Sequence, residues 1–165
     1  HIAPVTDWVC FLGSDNRRFV TNKAKRKVPL EQLAGKVVGL YWSAHWCPPC
    51  VDFTPILADV YQEVIKTHVS LFHLPNYHSR QNLRLILQGA DAFEIVFVSW
   101  DHTVAHYRQH LKDMPWPALP FQDPVIERIS HEVGLPVRAL LAHASCRSFK
   151  CKACLPCCCL IAVAH

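Results

Sequence analysis

An apolar run, Val37-Val38-Gly39-Leu40-Tyr41-Trp42, is followed five residues later by the pair Cys47-Pro48-Pro49-Cys50. The run has no polar face. It predicts a central strand covered on both sides. Beyond the pair, Phe53, Ile56, Leu57, Val60, Tyr61 and Val64 recur at three- and four-residue steps. That spacing predicts a helix with one buried face, kinked at Pro55. Strand, short loop, cysteine pair and helix therefore follow one another directly, and few folds accommodate that order.

The next strongly apolar run is Phe93-Glu94-Ile95-Val96-Phe97-Val98-Ser99-Trp100. It predicts a second core strand, parallel to the first through a right-handed crossover. Around these two strands, Val9–Leu12 reads as a short apolar strand ending in the turn Gly13-Ser14-Asp15-Asn16, with Phe19-Val20 returning as a second strand. Val28–Leu33 predicts one or two helical turns stopped at Gly35. Asp101 is expected to cap a helix whose apolar face is Val104, Tyr107 and Leu111. Asp123-Pro124 opens another, with Val125, Ile126, Ile129 and Val133 buried and Gly134 as its stop. The expectation is an α/β sandwich around a small sheet.

A chain of 165 residues, 51% hydrophobic and 18% charged, suits one globular domain. The net charge of +4 is too small for the footprint of a nucleic-acid binder. Lys23, Lys25, Arg26 and Lys27 form the one local basic cluster, expected to be a solvated loop. The chain opens on His1 without the basic start and apolar core of a secretion signal. No apolar run reaches the roughly 18–20 residues of a membrane helix, and Leu160–Ala164 is far too short. The expectation is a soluble protein of the cytoplasm or nucleus, with no nucleic-acid or membrane partner.

A Cys-x-x-Cys pair alone fits half a zinc site, a redox pair or coincidence. A zinc site needs four ligands, commonly two such pairs, and the other close pairs lie only in the tail. At a strand-to-helix junction, Cys47 would meet the unpaired N–H groups and dipole of a helix start. Such settings lower a thiol pKa from about 8.5 to roughly 3.5–7.5. Cys47 is then the attacking thiolate. Cys50, one turn later, resolves the mixed disulfide. Pro48 and Pro49 are tolerated in a first helical turn. They stiffen the link between the sulfurs and remove two N–H donors, so they tune the redox potential.

With these residues in place, the segment from Gly35 to Cys50, Trp46-Cys47-Pro48-Pro49-Cys50 within it, resembles the tryparedoxin/nucleoredoxin branch of the thioredoxin superfamily. Phe53-Thr54-Pro55, Phe93–Ser99, Met114-Pro115-Trp116 and Leu119-Pro120-Phe121 resemble it too. The resemblance covers about half the chain, in residues 28–65 and 93–133. It implies a thioredoxin-like three-layer α/β/α sandwich around a small mixed sheet. It implies a protein-disulfide reductase with Cys47 and Cys50 as catalytic residues and no cofactor or metal. Its partners would be disulfide-containing proteins and an upstream thiol reductant or reductase. Trp46, Pro48 and Pro49 would shape the active site. Thioredoxins usually carry a buried Asp six residues before the first cysteine. Tyr41 stands there, so proton transfer to or from Cys50 must use another group or water.

The chain also departs from that pattern. Residues 66–92 are longer than the family's link and read as an atypical insertion in a domain spanning 1–141. Val133-Gly134-Leu135-Pro136 is the nearest candidate for the family's cis-proline segment; an ordinary turn proline fits Pro136 as well. After Leu141 no turn signal or amphipathic helix marks the family's closing hairpin and helix, which would be missing or replaced. Six of the nine cysteines, Cys146, Cys151, Cys154, Cys157, Cys158 and Cys159, fall in a tail of residues 142–165. A thiolate site or a tail that ligates nothing are both open there. His45 either tunes Cys47 or is an exposed bystander. His102, His106 and His110, four apart, form either a solvated face or an adventitious metal site. Trp116 either shapes the active-site surface or packs in the core. Beside the reductase, two other readings stand: a redox-regulated binding protein, as nucleoredoxin-like proteins are thought to be, and an inactive truncated isoform.

Overall fold

The computed structural model describes residues 7–67, 92–133 and 160–164. Lys36–Ser43 forms β3, the central strand, and Ala92–Ser99 forms β4. They pair in parallel over eight residues, from Lys36 opposite Ala92 to Ser43 opposite Ser99. The helix α2, Pro48–Thr67, connects onward from β3 and continues through Pro55. On β3, Val38, Leu40 and Trp42 face one buried cluster, while Val37 and Tyr41 face the other. On β4, Val96 and Val98 join the first cluster, and Phe93, Ile95 and Phe97 the second. The uninterrupted apolar run was thus read correctly: both faces of the strand are covered.

One face is covered by α1 (Trp8–Leu12) and α4 (Val125–Glu132), which supply Trp8, Leu12, Val125 and Ile129. The other carries α2 and α3 (Val104–Leu111), with Leu57, Ala58, Tyr61, Tyr107 and Leu111. The result is the α/β/α sandwich expected from the sequence, with a mixed sheet. On the far edge of β3, Leu160–Ala164 forms β5 and pairs antiparallel, Val38 opposite Ala164 and Trp42 opposite Leu160. No local turn signal announced this strand; its pairing is entirely long-range.

An antiparallel hairpin, β1 (Phe19–Thr21) with β2 (Lys27–Pro29), joins the sheet through Ala118, which bridges Thr21 on one side and Phe97 on the other. Four local readings are corrected. Val9–Leu12 belongs to a helix, because the Asp7 carboxylate caps it by accepting from the Val9 and Cys10 N–H groups. Lys27–Pro29 is strand, and only Leu30–Leu33 makes the helical turn before Gly35, whose φ is +73°. The helix after β4 is capped by Thr103, whose hydroxyl accepts from the His106 N–H, and not by Asp101. The reading at Asp123-Pro124 is shifted by one residue: Pro124 is the cap position, without a side-chain cap bond, and α4 begins at Val125, while the Asp123 carboxylate still accepts from the Val125 N–H.

Pro136, residues 68–91 and the six tail cysteines lie outside the described residues. No helix among the described residues is long and apolar enough to cross a membrane.

Candidate active site

The turn between β3 and α2 is built by backbone hydrogen bonds. Cys47 N–H donates to Ala44 O, and Cys47 O accepts from Cys50 N–H at 3.0 Å and Val51 N–H at 3.1 Å. Cys47 therefore occupies the position just before the first residue of α2, and Pro48 and Pro49 form its first turn. Neither proline leaves an N–H without a partner there, which is why the sequence tolerates two in succession. Both cysteines are buried, with 3% of Cys47 and 1% of Cys50 exposed. They pack with Ala44, Trp46 and Trp100.

A second segment, 99–110, is fastened to this turn. His45 N–H donates to Asp101 Oδ1 at 2.8 Å, and the Asp101 Oδ2 accepts from Ser99 Oγ at 2.9 Å. The Trp46 indole N–H donates to Trp100 O. Trp46 stacks on His102 with ring centroids 5.4 Å apart and planes 9° apart. His45 stacks on His106 at 5.3 Å and meets the edge of His110 at 6.1 Å. The three histidines spaced by four thus divide. His102 and His106 are exposed and hold the rings of the turn, whereas His110 is 3% exposed. The solvated-face reading fails for His110, and no cluster among the described residues is arranged to hold a metal ion.

His110 was not singled out by the sequence as a buried group. One signal was present: three residues after Tyr107 and one before Leu111, it falls on the apolar face of α3. Its Nε2 lies 2.9 Å from Ser43 Oγ and 3.4 Å from Thr54 Oγ1. The Thr54 hydroxyl donates back to Cys50 O at 2.8 Å and lies 3.0 Å from the Tyr41 hydroxyl. Burial pushes the His110 imidazole below its ordinary 6.5; Asp101 and Asp113 pull it up, and His45 pushes it down. Tyr41, completely buried at the place where the resemblance puts a carboxylate, is thus one end of a hydroxyl–imidazole cluster behind the pair. Trp116 is buried edge-on against Tyr41 and Tyr61, so core packing is its role.

The likeness to known proteins follows the same elements. A family model described as Thioredoxin-like matches residues 35–161. The chain is 34% identical over 113 residues to a probable nucleoredoxin 1 of Arabidopsis thaliana, covering 68% of this chain and 16% of that protein. It is 40% identical over 95 residues to tryparedoxin of Trypanosoma brucei brucei, covering 58% of this chain and 50% of that protein. Tryparedoxin II from Crithidia fasciculata superposes with a TM-score of 0.54 at 30% identity, over 76% of this chain and 68% of that one. The chain spans half or less of the length of these curated relatives. On the match of the family model and the shared sandwich, the chain belongs to the thioredoxin-like family of thiol–disulfide oxidoreductases, with nucleoredoxins and tryparedoxins among its relatives.

Proposed function

We propose that the chain reduces protein disulfides through a Cys47/Cys50 dithiol. The observation that carries this reading is the seat of Cys47: it immediately precedes the first residue of α2, and Cys50 lies one turn further along the same helix. The N–H groups and dipole of a helix start favour an anion at Cys47. Its thiolate attacks one sulfur of a substrate disulfide, forming a mixed disulfide and releasing the other sulfur as a thiolate. Cys50 then attacks Cys47 Sγ; the Cys47–Cys50 bond forms and the substrate leaves with both sulfurs reduced. The pair has given up two electrons. A thiol reductant or reductase of the same compartment, cytoplasmic or nuclear, returns them.

A second reading draws on the ring contacts around the turn. Trp46 on His102 and His45 on His106 couple the cysteine turn to a neighbouring surface segment. Oxidation of the pair would then alter partner affinity, with turnover secondary. Insulin reduction by dithiothreitol separates the two. Wild type well above Cys47→Ser supports the reductase; equal rates overturn it.

A further inference from the structure

We propose that residues 22–27, where β1 turns into β2, form a preordered docking surface for an acidic segment of a partner protein. Lys23, Lys25, Arg26 and Lys27 are all exposed there. Among the described residues none of the four forms an ion pair. From Asn16 to Leu30 the sequence has no Asp or Glu. The positive charge of this turn equals the net charge of the whole chain, +4. Outside it, acidic and basic residues balance, so the excess charge is concentrated in one place.

The cations stand on a fixed backbone. Asn22 Oδ1 accepts from the Ala24 and Arg26 N–H groups, both at 3.0 Å. The Asn22 main chain closes the turn: its carbonyl accepts from Lys25 N–H at 2.8 Å, and its N–H donates to Arg26 O at 3.1 Å. Lys25 is thereby held at φ +60°, in the left-handed region that a residue with a Cβ seldom adopts. Lys27 Nζ lies 4.4 Å from the centre of the Phe19 ring, which holds that ammonium as well. A surface ordered before binding loses less freedom when a partner arrives.

The chemistry of the turn selects the partner. Its one uncharged side chain between Asn22 and Val28 is Ala24. It therefore offers no aromatic ring to stack on a base and no large apolar group to enter a bilayer. Carboxylates on a protein segment need neither. The position also fits a dock. Thr21 pairs antiparallel with Ala118, which in turn runs parallel to β4 at Phe97. The turn that follows Thr21 thus points toward the end of the sheet where β3 and β4 begin, away from Cys47, which follows the end of β3. A partner held there leaves the cysteine pair uncovered. The inference does not depend on the reductase reading.

The test titrates the full chain against a fluorescein-labelled deca-glutamate peptide at about 150 mM salt and follows anisotropy. Wild type should bind saturably, and more weakly as salt rises. The triple variant Lys23→Gln, Lys25→Gln, Arg26→Gln should bind at least about tenfold more weakly, with its thermal unfolding unchanged. Asn22→Ala keeps every charge but frees the turn, and should weaken binding at least about threefold. Equal affinity of the triple variant and wild type overturns the proposal, and equal affinity of Asn22→Ala overturns the part played by the ordered backbone. A DNA duplex, or vesicles of phosphatidylcholine and phosphatidylserine, bound more tightly than the peptide at the same salt would overturn the choice of an acidic protein segment. Insulin reduction is measured on the same preparations. Its absence in wild type would overturn the reductase reading and leave the docking result standing.

Discussion

Asp101 and His45 are joined across 56 residues of sequence by a 2.8 Å hydrogen bond from the His45 N–H to Oδ1. This bond fastens the residue two before Cys47 to the segment that follows β4. The same carboxylate accepts from Ser99 Oγ, so Asp101 determines where the active-site turn sits relative to the end of the sheet.

Asp101→Ala removes both acceptors at once. Hydrogen bonds to a charged group are worth about 1.5–3 kcal/mol each, and part of that returns when water enters. The expected loss is about 2 kcal/mol in urea unfolding, with slower insulin reduction because the turn carrying Cys47 is no longer held. Unchanged stability would show that this bond contributes nothing to the fold.

On the opposite side of the sheet, Arg17 pairs with Asp123 in a buried ion pair and also donates to the Phe19 and Leu12 carbonyls. Arg17→Met leaves the buried Asp123 carboxylate without its cation, holding only the Val125 N–H. Breaking one partner of such a pair costs about 3–5 kcal/mol. Adding Asp123→Asn should restore part of that loss, because the stranded charge is gone. Chemical denaturation of the two variants gives both numbers.

Gly13 ends α1 with its N–H on Val9 O, and a Cβ built there would lie 2.1 Å from that same oxygen. The contact is with backbone, so it cannot be relieved by a side-chain rotation. Gly13→Ala should therefore cost about 1–3 kcal/mol. Thermal unfolding against wild type measures it. A variant as stable as wild type would mean α1 shifts without loss.

His110 also makes stability depend on pH. Its imidazole is held below its ordinary 6.5 by burial in the folded state, whereas the unfolded chain titrates near that ordinary value. As pH falls through 6.5, the unfolded chain therefore binds the proton first. Stability drops progressively until the folded-state value is passed, and it is fully retained above 6.5. His110→Gln should flatten the curve of unfolding free energy against pH in this window. Equal slopes for the two proteins would assign the acid sensitivity to other groups.

How much of this was legible in the sequence follows the range of the interactions. The β3 strand, the cysteine pair and α2 were readable because apolar periodicity and proline placement are local. The Val9–Leu12 run was misread because four apolar residues fit a strand or a helix equally; the Asp7 cap decided it. Asp101 looked like a cap from its position, yet Thr103 stands closer to the helix start and leaves Asp101 for the active-site turn. The pair Cys47 and Cys50 drew attention through its spacing together with the strand before it and the helix after it. The inner cluster of Tyr41, Ser43, Thr54 and His110 did not, since it draws two residues from β3, one from α2 and one from α3, and only the assembled sandwich brings them together.

The pairing of β3 on both edges carries a consequence for how the molecule is made. Its partner on one side is β4, which starts only at Ala92, and on the other β5, which starts only at Leu160. Every inter-strand bond of the central strand therefore closes a long loop, which makes for slow folding. While a ribosome extends the chain, β3 emerges with two open edges. The second of these stays unpaired until residues 160–164 arrive. During that interval the nascent strand is a template for other chains, and a protein truncated before residue 160 keeps that liability permanently.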